Sequence, residues 1–150
     1  MKCDECGAEF ERGTEDCNTL WLNMTLRSPD ERRLVVRRLV VDTYSLQHPR
    51  RLCASPDTLA SHLLGLCCAV EHGGSLDIYS GMKSWLGRAG DLPDPEPPKF
   101  LGEMTVSDVA QATTVDGHIE GARRWAQCVW ESWYDYHDQV RGWIGEIEGR

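Results

Sequence analysis

The chain has 150 residues, a formal charge of −8 and a pI near 5.0. Hydrophobic residues make up 41%, which suits one domain, residues 1–150, with a real core and argues against a disordered chain. The acidic balance excludes the broad basic footprint of a nucleic-acid binder. No apolar run reaches the roughly eighteen residues of a membrane-spanning helix.

Residues 1–17 carry the clearest chemistry. The N-terminus, Met1-Lys2-Cys3-Asp4-Glu5-Cys6, has no apolar signal region, so a cytoplasmic location is expected. There the seven cysteines stay reduced, and paired cysteines read as metal ligands before disulfides. Cys3-x2-Cys6-Gly7 is the spacing of a zinc knuckle: two thiolates on a tight turn, with a glycine that lets the chain fold back. Cys17 supplies a third thiolate. A redox pair is the competing reading, but no strand-then-helix pattern surrounds these cysteines. For the fourth ligand His48 comes first, then Cys53, then water. Thiolates favour Zn2+ over magnesium or calcium and leave iron open.

A helix is expected from Asp16, where Cys17, Leu20, Trp21 and Met24 share one face. Ser28-Pro29-Asp30-Glu31 reads as an N-cap, a proline at the first helical position and a capping box. The helix it opens runs to about Gln47, and its apolar second half marks it as the central helix of a bundle. Arg32, Arg33, Arg37 and Arg38 read as a solvated face of that helix. Its last turns carry Asp42, Tyr44, Gln47 and His48, and Pro49 ends it.

Ser55-Pro56-Asp57 opens the next helix, with Leu59, Leu63, Leu66, Cys67 and Val70 buried, and Gly73-Gly74 closes it. His62 sits beside that stripe, either as a core-edge histidine bonded to a backbone carbonyl or as a ligand or acid–base group. Cys67 and Cys68 read as small core residues, and His72 as a helix C-terminal residue. A short helix over about Leu76 to Leu86 follows. Four prolines between Pro93 and Pro98 make the next stretch extended, with Phe100 and Leu101 expected to pin its end. Thr105-Val106-Ser107-Asp108 starts a short helix. One long last helix is expected from about Asp116 to Glu146, its seam formed by Ile119, Ala122, Ala126, Val129, Trp133, His137, Val140 and Ile144. His118 is expected to be exposed. His137 should face inward, either as a buried histidine with one partner or reaching a pocket near Tyr44 and His48.

No segment alternates with period two, so the fold class is all-α: a bundle of five or six helices with an N-terminal zinc knuckle. The segments Cys3-x2-Cys6-Gly7-Ala8, Cys17 with Trp21, and Val41-Asp42-Thr43-Tyr44-Ser45-Leu46-Gln47-His48-Pro49 form a distinctive order. His62-Leu63-x2-Leu66-Cys67-x3-Glu71-x-Gly73 and Trp125-Ala126-x3-Trp130-x2-Trp133-x3-His137-x2-Val140-Arg141-x-Trp143 extend it. This pattern resembles an uncharacterised bacterial family of unknown function, and the resemblance implies a shared fold and no activity.

Two functions remain. In the first, the metal sits beside a concave site holding Asp42, Tyr44, His62 and His137 as candidate catalytic groups. Trp130 and Trp133 form its apolar wall, and a small molecule is the substrate. An open zinc position would then lower the pKa of a bound water. In the second, the zinc is structural and the chain is an adaptor or binding protein. No phosphate-cradling glycine loop, dinucleotide fingerprint or nucleophile motif is present.

Overall fold

The computed structural model describes residues 1–26 and 36–149. Eight α-helices are present among them: α1 (Thr14–Leu26), α2 (Arg37–Gln47), α3 (Pro49–Leu52), α4 (Pro56–Glu71), α5 (Leu76–Arg88), α6 (Val106–Ala110), α7 (Val115–Ser132) and α8 (His137–Glu148). The only β pairing among the described residues is a single antiparallel bridge between Lys2 and Glu9. The expected all-α bundle is therefore present, with two more helices than six. One is α3, because Pro49 both ends α2 and takes the first position of a new turn.

The other comes from the expected long last helix, which is two helices. The chain tightens at Trp133 into a 3-10 turn over Tyr134–Tyr136 before α8 begins. No proline or glycine marks that break. The Trp133 indole donates to the Leu46 carbonyl of α2 at 3.1 Å, while α8 packs across α4 and α5. A straight helix lacks the turn that reconciles these contacts.

The central helix is α2, packed against α1, α4 and α7. Every residue from Asp42 to Gln47 is buried. The Ser28–Glu31 helix start, with Arg32 and Arg33, lies outside the described residues. Ser55 caps α4 by accepting from the Thr58 N–H, and Thr105 with Asp108 forms a capping box on α6. Gly73 and Gly74 close α4 with φ of +60° and +72°, and the Gly74 N–H reaches the Cys68 carbonyl. His72 is the C-cap of α4.

Three expectations need correction. His118 is buried, at 6% exposure, because it lies on the core side of α7. Phe100 is 64% exposed and pins nothing. The extended segment is held by Gln47, whose Nε2 donates to the carbonyls of Leu101 and Met104 at 3.1 and 2.6 Å. The same amide accepts from the Trp125 indole at 3.1 Å, so one buried side chain joins α2, α7 and the approach to α6. Arg38 is not simply solvated: its guanidinium lies 4.5 Å over the Tyr79 ring, with Nε 3.5 Å from Asp42.

Candidate metal centre

The N-terminal turn builds two of the donors. The Cys3 N–H bonds to the Ala8 carbonyl and the Gly7 N–H to the Cys3 carbonyl, with Gly7 at φ +78°. That left-handed conformation is cheap only for glycine and lets the Ala8 N–H reach the Cys6 sulfur. Cys17 arrives from the first turn of α1 and His48 from the C-terminus of α2. The ligand atoms of Cys3, Cys6, Cys17 and His48 all lie within 4.8 Å of one another.

Two of these separations match those around a tetrahedral ion. Zinc–sulfur bonds of about 2.3 Å place two sulfurs about 3.8 Å apart, and a zinc–nitrogen bond of about 2.0 Å places nitrogen about 3.5 Å from sulfur. Cys6 and Cys17 are 3.8 Å apart, and His48 Nε2 is 3.4 Å from the Cys17 sulfur. The ring is also set for ligation. His48 Nδ1 is 2.7 Å from the Tyr44 carbonyl, which can only accept, so Nδ1 carries the proton. In the neutral ring Nε2 then presents a lone pair to the cysteines, the arrangement by which a backbone carbonyl fixes a metal-binding histidine. The four residues fit a metal. Cys53 stands apart: it is buried and donates to the Ser45 carbonyl at 3.3 Å.

A second layer of side chains holds the first. Trp21, Tyr44 and His48 stack face to face, with ring centroids 4.3 and 3.9 Å apart. The Tyr44 hydroxyl is 3.3 Å from the Cys17 sulfur and accepts from Arg51, which also donates to Asn18. Within Cys3-x2-Cys6, the Glu5 carboxylate accepts the Arg50 N–H at 2.7 Å and so caps α3. Neither Glu5 nor the Arg50-Arg51 pair stood out in the sequence, since charged residues beside cysteines carry no periodic signal. The hydrogen bond from Cys6, followed by those of His48 and Tyr44, holds the Cys17 thiol below its ordinary range, against burial. The same Cys17 contact, with burial, pushes Cys6 up. Burial, then the neighbouring Cys17, raises the Tyr44 phenol.

The single pocket expected beside the metal is divided into three places. At roughly 100° per residue, Asp42 lies about 200° around α2 from Tyr44. Tyr44 belongs to the metal cluster. Asp42 faces the opposite side, where its Oδ1 meets His62 Nδ1 at 2.9 Å. Burial raises the Asp42 carboxyl, with His62 and Arg38 opposing, and its Oδ2 has no hydrogen bond among the described residues. His137 belongs to neither group: its Nε2 donates to the Trp130 carbonyl at 2.7 Å and its ring stacks on Trp130 at 4.0 Å. Trp130 in turn donates to Glu71, which Arg141 grips with two 2.8 Å bonds. Trp130 and Trp133 are core residues, at 2% and 1% exposure, and not a pocket wall.

Fold and site define a small all-helical protein with a largely buried three-cysteine, one-histidine cluster that could hold a metal ion. The chain belongs to DUF5946, a family of unknown function, whose model matches residues 1–134. The matched stretch ends before His137, so the last part of the resemblance pattern lies beyond it. No curated protein and no solved structure matches the chain. No helix among the described residues is long and apolar enough to cross a membrane.

Proposed function

We propose that this chain is a non-catalytic binding protein whose fold is completed by a structural zinc ion. The observation that carries the reading is the closed donor set: Cys3, Cys6 and Cys17 with His48 Nε2, all within 4.8 Å. Three of the four residues are buried, Cys3 at 2% and Cys17 and His48 at 0%. A catalytic zinc keeps an open position, whereas four protein ligands are the mark of a structural site. Three thiolates and a neutral imidazole on Zn2+ leave a net charge of −1, a poor Lewis acid. The placement of Asp42, His62 and His137 with partners outside the cluster weighs the same way.

The structural role has a physical basis. The first thirteen residues form no helix of their own and have one β bridge. A structural zinc contributes roughly 10–16 kcal/mol of apparent binding energy at neutral pH. Through Cys17 and His48 that energy ties the knuckle to α1 and to the central helix α2. Elemental analysis of the purified protein, together with His48→Ala and Cys3→Ser, tests the reading. One zinc per chain is expected, falling away in both variants with loss of cooperative melting. A zinc retained at full occupancy in His48→Ala would place water in the fourth position and return the site to catalysis. Absence of metal from the natural chain would sink the proposal.

A further inference from the structure

A cavity of about 590 Å³ lies between α2, α4, α5 and α7, and none of the four candidate metal ligands is among its lining residues. That volume is within the roughly 300–1,000 Å³ of small-molecule sites. Its walls are mainly apolar, with Val36, Leu39, Val70 and Ala126 among them. Leu76, 81% exposed, stands at the lining as well. Two arginines, Arg38 and Arg123, line the cavity and, among the described residues, no acidic one does, in a chain where 24 acids outnumber 16 lysines and arginines.

The two arginines are prepared differently. Arg38 is held against the Tyr79 ring, which also lines the cavity, and its Nε is 3.5 Å from Asp42. Asp42 offsets part of that charge, but its other oxygen is committed to His62. Arg123 is exposed and has no carboxylate or hydrogen-bond partner among the described residues. A guanidinium without a partner, at the edge of an apolar hollow, is complementary to an anion carried on an apolar body. An extended polyanion is opposed by the net charge of −8.

We infer that this cavity binds an organic anion with an apolar tail, of the medium-chain carboxylate type, the carboxylate met by Arg38 and Arg123 and the tail lying on Val36, Leu39, Val70 and Ala126. The inference names the ligand class for the binding reading above and rests on it, but not on the zinc. Isothermal titration calorimetry of the zinc-loaded protein with decanoate is the test. Acetate and decyltrimethylammonium serve as probes of the anion alone and of the tail with the wrong charge. Zinc is measured on the same preparation, so failure of the metal reading and failure of the ligand reading are seen separately. Decanoate is expected to saturate one site, with acetate and the cation giving no saturable heat. Arg123→Glu is expected to weaken decanoate about tenfold or more, and Arg123→Gln by less, with melting temperatures unchanged because the side chain is exposed. No saturable decanoate binding, equal binding by Arg123→Glu, or equal binding of decyltrimethylammonium would each overturn the proposal.

Discussion

Tyr44→Phe isolates the contribution of one hydroxyl to the metal centre. The ring stays, so the stack with Trp21 and His48 persists. What goes is an oxygen 3.3 Å from the Cys17 sulfur and 2.9 Å from Arg51. Arginine only donates, so the phenol's own proton is directed to sulfur, where it stabilises the thiolate. Groups that support a ligand in this way are worth about 10–100-fold in metal affinity, or about 1.4–2.7 kcal/mol. Competition against a chromophoric chelator should show zinc bound more weakly by that factor. Thermal melts with zinc and with excess chelator should differ correspondingly, because ligand binding to the folded state adds to its stability. Unchanged zinc affinity, or an equal loss of stability with and without zinc, would show that the hydroxyl does nothing for the metal.

Three other outcomes follow from the geometry. A Cβ on Gly65 would lie 2.1 Å from Asp42 Oδ2, so Gly65→Ala should cost about 3 kcal/mol or more; denaturant melts of Gly65→Ala with and without Asp42→Ser should show strong coupling between the two sites. Gln47→Glu keeps the acceptor for Trp125 but turns two donors toward carbonyls into acceptors; urea titration should register a loss of about 3–5 kcal/mol, and a loss below 1 kcal/mol would contradict the three-way bond. Arg141, then Trp130, holds the Glu71 carboxyl below its ordinary value. Its contribution is thus fully present above the unfolded-state pKa, near the usual 4.5, and is lost as pH falls through the lower folded value. Glu71→Gln should flatten that acid limb in a pH series of melts, while Glu71→Ala should lose about 1–3 kcal/mol more by leaving the buried Trp130 N–H unpaired.

Much of this molecule is written in short-range chemistry. Helix starts at Ser55-Pro56 and Thr105 to Asp108, the glycine stop after α4 and the knuckle turn at Gly7 depend on hydrogen bonds within a few residues, so spacing alone reveals them. The four clustered donors were also legible, because Cys3-x2-Cys6, a cysteine on a helix and a histidine freed by Pro49 are each unusual in sequence. The direction of the remaining polar side chains was not. Asp42, Tyr44 and Gln47 are neighbours in the chain, yet the turn of α2 sends them to His62, to Cys17 and to Trp125. Which element waits on each side depends on how α1, α4 and α7 pack. The break at Trp133 belongs to the same class, since its cause is a carbonyl on α2, 87 residues earlier in the chain. The cavity carrying Arg38 and Arg123 is likewise tertiary: four helices meet there, and only their packing brings the two arginines to one apolar hollow.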